Sequence, residues 1–98
     1  MNTAICDAIR DGEIIEFEYE GMVKIVEPFC YGLGYDGKEL LRGYVIGGFS
    51  DVINQEYSWK LFDVSHMRTI QYIGKQFDVI RNGYEKEDKD IKTIYCSF

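Results

Sequence analysis

The sequence predicts a mainly β fold, a small β-barrel with one short N-terminal helix. Apolar residues recur at helical spacing only near the start of the chain, and short stretches of alternating apolar and polar residues follow. Turn-forming residues separate these stretches at intervals of about eight to twelve residues, which is typical of small barrels. Because 98 residues hold one modest core, residues 1–98 are predicted to form a single domain.

The helix is predicted to begin at Thr3, whose hydroxyl can accept a hydrogen bond from the first turn. One side of it carries four apolar residues at helical spacing, Ala4, Ile5, Ala8 and Ile9. Gly12 ends the helix, because glycine readily adopts the left-handed conformation that closes a last turn.

The first strand is predicted from a strict alternation of apolar residues with carboxylates. The apolar residues are Ile15, Phe17 and Tyr19, and the carboxylates are Glu16, Glu18 and Glu20. Three carboxylates on one strand face could hold a cation, but a solvated sheet face is the favoured interpretation.

The next stretches are also extended. Residues 23–31 are predicted to form a second strand, with a bend or an edge at Pro28. Asp36 and Gly37 predict a hairpin turn in which Gly37 has a positive φ. Residues 39–46 form a strand that is apolar on both faces, so we expect the helix, a partner or a ligand to cover each side.

The remaining chain is less regular. Residues 47–55 are predicted to form a polar loop, and the alternation of Tyr57, Trp59 and Leu61 predicts another strand. Residues 67–73 and 91–98 are predicted strands, residues 74–83 an irregular covering segment, and residues 85–90 a solvated charged loop.

Composition excludes several classes of protein. Apolar residues make up 46% of the chain and aromatic residues 15%, which provides a core and argues against intrinsic disorder. The net charge of −6 disfavours nonspecific binding to long DNA or to anionic membranes. No stretch approaches the ~20 apolar residues of a membrane span, and the first residues lack the charge pattern of a secretory signal.

The three cysteines, Cys6, Cys30 and Cys96, lie far apart in the sequence. Their odd number and wide spacing predict thiols without a disulfide, in a reducing cytoplasm. His66 is the only histidine, so neither a metal site nor a nucleophile–base pair is indicated. We therefore predict a protein that is not an enzyme and has no catalytic residue, metal or cofactor.

The few basic residues lie on separate predicted strands. Lys24, Arg42 and Lys60 each occupy a different strand, and His66 starts the next one. Adjacent strands could gather them into one patch that binds an anion, with Tyr44 or Trp59 as an aromatic wall. Spacing alone leaves open the alternative that the lysines are ordinary exposed charges paired with neighbouring acids.

Four segments resemble, in order and spacing, those of a known family. They are residues 15–19 (I-E-F-E-Y), which follow the helix, residues 24–28 (K-I-V-E-P), residues 41–44 (L-R-G-Y) and residues 59–62 (W-K-L-F). Together with the helix end they are similar to the WYL domain over roughly residues 4–73. The remaining tail resembles the ending of small stand-alone bacterial members.

The resemblance implies an SH3-like or Sm-like β-barrel that senses a ligand, such as a nucleotide or oligonucleotide, through a basic groove. It places the basic positions of that groove at Lys24, Arg42, Lys60 and His66. It also implies a regulatory role in a bacterial or phage cytoplasm, because family members are usually part of bacterial transcription regulators.

Two functions are predicted from these observations. The first is a non-enzymatic regulatory module that binds a small anionic ligand at the basic and aromatic residues named above. The alternative is a protein-interaction module that dimerises or docks on a partner through the strand from Leu40 to Ile46.

Overall fold

A computed structural model describes residues 2–49 and 58–98 of the chain. Helix α1 (Thr3–Asp11) is followed by strands β1 (Glu13–Tyr19), β2 (Met22–Gly34), β3 (Glu39–Phe49), β4 (Ser58–Asp63), β5 (Met67–Gln76) and β6 (Ile91–Ser97). A 3₁₀ turn, Val64–His66, joins β4 to β5. The prediction of a mainly β chain with one short N-terminal helix is confirmed. Within the described ranges, no helix is long and apolar enough to cross a membrane.

The strands form one antiparallel sheet in the order β4-β3-β2-β1-β5. Strand β2 is long enough to pair with two neighbours on one edge, β1 along its first half and β6 along its second. Predicted closure into a barrel is wrong, because β4 and β5 do not pair with each other in the part of the chain that the structure describes. After the 3₁₀ turn the chain pairs with β1 instead, so the sheet stays open.

Two apolar clusters lie on opposite faces of this sheet. The first packs beneath α1 and includes Ile5, Ile9, Phe17, Val26, Tyr31 and Leu41. The second includes Ile14, Phe29, Phe77, Tyr44, Trp59, Tyr84 and Phe98. Residues 77–90, which we call the cover segment, contribute Phe77 and Tyr84 to it. Strand β3 is covered on both sides as predicted, because Leu41 lies in the first cluster and Tyr44 in the second. The helix covers the first side, but the chain's own cover segment, rather than a partner or a ligand, covers the second.

Several predicted boundaries shift. The residue that caps α1 is Asn2 rather than Thr3, because the Asn2 side chain accepts a hydrogen bond from the Ile5 backbone N–H at 3.2 Å. Strand β3 continues through Phe49, so the predicted loop over residues 47–55 is wrong for residues 47–49. The rest of that loop, and Tyr57, lie outside the described residues.

A disulfide joins Cys6 on α1 to Cys96 on β6, with their Cα atoms 5.7 Å apart. The prediction that no disulfide forms is therefore wrong. The two cysteines are separated by 90 residues in sequence, and only the packing of α1 against β6 brings them together. Cys30 is free and buried, and burial raises the pKa of its thiol to about 11. A cytoplasmic location, which was inferred partly from the cysteines, remains a prediction.

The turn between β2 and β3 confirms the predicted hairpin. Its connection spans residues 35–38, and Gly37 has a φ of 85°. The Asp36 side chain accepts a hydrogen bond from the Lys38 backbone N–H at 3.1 Å, which closes the turn.

We expect Gly37→Val to lower the free energy of unfolding by about 1 kcal/mol or more, because a β-branched residue is strained at positive φ. A Cβ at this position meets no atom within 4 Å, so backbone strain alone causes the loss. Urea denaturation measures it, with Tyr35→Val at an exposed neighbouring position as the control. Equal losses for the two variants would contradict this account of the turn.

Candidate ligand-binding site

Arg42 lies in the middle of β3 and points towards the cover segment. Its Nε donates to Asp88 Oδ2 at 2.7 Å, and its Nη2 donates to Asp88 Oδ1 at 3.2 Å. The same Nη2 also donates to Asp90 Oδ2 at 2.6 Å. One edge of the guanidinium therefore holds two carboxylates, one of them through both of its oxygens.

Asp88 is nearly buried in this ion pair. Burial alone would raise its pKa, but hydrogen bonds from Arg42 and from the Asp90 backbone N–H outweigh burial and lower the pKa below its usual value. The hydrogen bond to Asp88 also raises the pKa of Arg42, so both groups are charged at neutral pH. The prediction of a solvated loop over residues 85–90 is wrong at Asp88, because this carboxylate turns inward to bind Arg42.

A cleft of about 350 Å³ opens beside this ion pair. It is lined by Arg42, Trp59, Gly83, Glu85, Asp88, Lys89 and Asp90. The lining thus combines two cations with three carboxylates and one indole. An anion that enters the cleft must compete with the carboxylates already present.

The aromatic wall of the cleft is Trp59 on β4. Its indole Nε1 donates to the Asn82 carbonyl oxygen at 2.7 Å, which fixes the ring against the cover segment. The ring stacks on Tyr84 with centroids 6.1 Å apart and meets Tyr44 edge-on at 5.3 Å. These contacts fix the orientation of the Trp59 ring.

The structure brings together three of the six residues predicted to bind the ligand. Arg42, Tyr44 and Trp59 share one face of the sheet, because Tyr44 follows Arg42 by two residues and pairs with Trp59.

Lys24, Lys60 and His66 lie elsewhere. Lys60 pairs with Gly43, so it lies on the sheet face opposite Arg42. Lys24 shares that opposite face, since it is two residues from Val26 of the cluster beneath α1. His66 lies in the 3₁₀ turn, with its Nδ1 3.7 Å from Glu20 and its Nε2 3.9 Å from Asp63.

Sequence reasoning missed a second buried ion pair beside the cleft. Glu27 on β2 accepts two hydrogen bonds from Arg81, at 2.9 Å from Nε and 2.8 Å from Nη2. The Arg81 guanidinium carbon also lies 4.8 Å from the centroid of the Tyr44 ring. The available signal was a single carboxylate, Glu27, in a strand whose only other charged residue is Lys24.

The chain matches no protein-family model, curated protein or solved structure in the three comparisons made. The candidate site therefore rests on its own geometry. Among residues 2–49 and 58–98, no group of three or more His, Cys, Asp or Glu side chains is arranged to hold a metal ion. The cleft places the planar guanidinium of Arg42, which already binds two carboxylates, next to the indole of Trp59.

Proposed function

We propose that this protein is a non-enzymatic binding module that takes a small anionic ligand, such as a nucleotide, at Arg42. The observation that carries the proposal is the pair of carboxylates held along one edge of the Arg42 guanidinium. A planar guanidinium that binds one oxyanion through two hydrogen bonds can bind a phosphate in the same way. The adjacent Trp59 ring offers a surface on which a base can stack.

We also propose a strand arrangement of the SH3-like or Sm-like type, which stays open and does not close into a barrel. A short N-terminal helix precedes the sheet, the sheet order is β4-β3-β2-β1-β5, and a 3₁₀ turn joins its two edge strands. The four segments that resemble the WYL domain fall on β1, β2, β3 and β4. We accordingly propose a WYL-like regulatory role in a bacterial or phage cytoplasm.

The proposed site is smaller than the patch predicted from sequence. Arg42 anchors the anion and Trp59 forms the aromatic side, while Tyr44 lies outside the lining of the cleft and holds the Trp59 ring edge-on. Lys24, Lys60 and His66 would meet only a longer ligand, such as an oligonucleotide that passes around the sheet edge. A mononucleotide therefore tests the proposed site without involving them.

Isothermal titration calorimetry with phosphate, mononucleotides, cyclic nucleotides and short oligonucleotides tests the proposal. For a mononucleotide, we expect Arg42→Lys to weaken binding about tenfold or more, because lysine keeps the charge but loses the fork. The double variant Arg42→Gln, Asp88→Asn removes both charges of the ion pair together, so no buried carboxylate is left uncompensated. It should also lose binding while remaining folded.

Lys60→Gln is the matched control, since it removes one cation on the other face of the sheet. Its affinity for a mononucleotide should equal that of the wild type. Binding that survives in both Arg42 variants would place the site elsewhere.

The alternative function, docking through the strand from Leu40 to Ile46, has a separate readout. That strand lies between β2 and β4, and Leu41 is fully buried within the chain itself. Light scattering over a range of protein concentrations reports any self-association. Association without binding of any anion would favour the interaction module over the proposed function.

A further inference from the structure

The two carboxylates on Arg42 are not equivalent. The side chain of Asp88 is 5% exposed and contacts the guanidinium through both oxygens, whereas that of Asp90 is 45% exposed and contacts it through one. Asp88 Oδ1 additionally accepts a hydrogen bond from the Asp90 backbone N–H at 3.0 Å. Asp88 therefore belongs to the folded framework, and the Asp90 side chain lies at its solvent-facing edge.

This difference decides which contact an incoming anion can replace. Removing a buried carboxylate from its cation leaves an uncompensated charge, which is strongly unfavourable. Releasing a half-exposed carboxylate into water costs far less, because water solvates it and the ion pair was already screened. The Asp90 carboxylate can therefore leave the guanidinium while Asp88 stays bound.

We infer that Asp90 is an internal competitor for the anion site, and that its carboxylate occupies on Arg42 the position that a ligand oxyanion takes. This inference rests on the proposed function, and it identifies Asp90 as the residue that sets the affinity of the site. Because Asp90 is tethered next to Arg42, it competes at a fixed effective concentration, and every ligand must displace it. Removing its charge should tighten binding of any oxyanion, including inorganic phosphate.

The experiment titrates inorganic phosphate and a mononucleotide into the wild type and into Asp90→Asn and Asp90→Ser variants. Trp59 is the only tryptophan of the chain and lines the same cleft, so its fluorescence reports occupancy directly. We expect both variants to bind about two- to fivefold more tightly, the range given by loss of one exposed ion pair. Both substitutions keep the Asp90 backbone N–H that Asp88 requires.

Glu87→Gln is the matched control, because it removes one exposed carboxylate of the cover segment outside the Arg42 contacts. A gain in affinity equal to that of the Asp90 variants would mean that net charge is responsible, and the inference would be wrong. Unchanged affinity in the Asp90 variants, with binding still lost in Arg42→Lys, would reject the competitor and leave the proposed function standing. If neither ligand binds the wild type or the Asp90 variants, the proposed function itself fails.

Discussion

Reduction of the Cys6–Cys96 disulfide is expected to lower the free energy of unfolding by about 4.5 kcal/mol. The bond joins residues 90 apart in sequence, so it closes a large loop and lowers the conformational entropy of the unfolded chain. In the folded state it joins two elements that already touch, since α1 packs against β6. The stabilisation should therefore arise chiefly from the unfolded state.

Urea denaturation with and without reductant measures this difference. The double variant Cys6→Ala, Cys96→Ala should unfold at the lower urea concentration in both conditions, because it has no bond to reduce. Cys30 is left unchanged in that variant, and because its thiol is already reduced, the reductant should have no further effect. The same unfolding midpoint for the wild type in both conditions, with free thiols found by mass spectrometry, would refute the cross-link.

Arg81→Met is expected to lower the free energy of unfolding by about 3 kcal/mol. The Glu27 side chain is only 5% exposed, and this substitution removes the cation that compensates its charge. It also removes the guanidinium from the ring of Tyr44, which loosens the cover segment above the cleft. Chemical denaturation at neutral pH gives the value.

Two further variants separate burial from charge. Glu27→Met combined with Arg81→Met should recover most of the lost stability, because no unpaired charge remains. Arg10→Met removes a 68% exposed arginine that also contacts a carboxylate, Asp7, at 2.9 Å. That surface pair is screened by water, so its loss should lower the free energy of unfolding far less than the loss of the Arg81 pair. If Arg10→Met and Arg81→Met lowered the free energy of unfolding equally, burial of Glu27 would not explain the loss in Arg81→Met.

Strand β1 and the turn at Gly37 were predictable because each is determined by residues that are neighbours in the sequence. Alternation at Ile15, Phe17 and Tyr19 identifies β1 without knowledge of its neighbours, and Gly37 identifies its turn from backbone sterics alone. Capping was harder to assign, because Asn2 and Thr3 are both good caps and one residue decides between them. The disulfide could not be predicted, since the approach of Cys6 to Cys96 depends on the whole tertiary arrangement.

The site was predictable only in part, for a geometric reason. Residues two apart on one strand share a face, so Arg42 and Tyr44 could be grouped from sequence. The residue that pairs with Tyr44 depends on the register of β3 against β4. A shift of one residue would have placed Lys60 opposite Tyr44 instead of Trp59. The inward position of Asp88 depends on a cation 46 residues away. No local pattern in a run of charges identifies such a contact.

The covalent closure between α1 and β6 also determines how the molecule responds to a mechanical load. Tension applied to residues before Cys6 and after Cys96 passes through the sulfur–sulfur bond and bypasses the sheet. While that bond is intact, residues 7–95, which include the cleft around Arg42, are shielded from the load. Once it is reduced, the same pull acts on the hydrogen bonds between β2 and β6 and can release about 300 Å of extended chain.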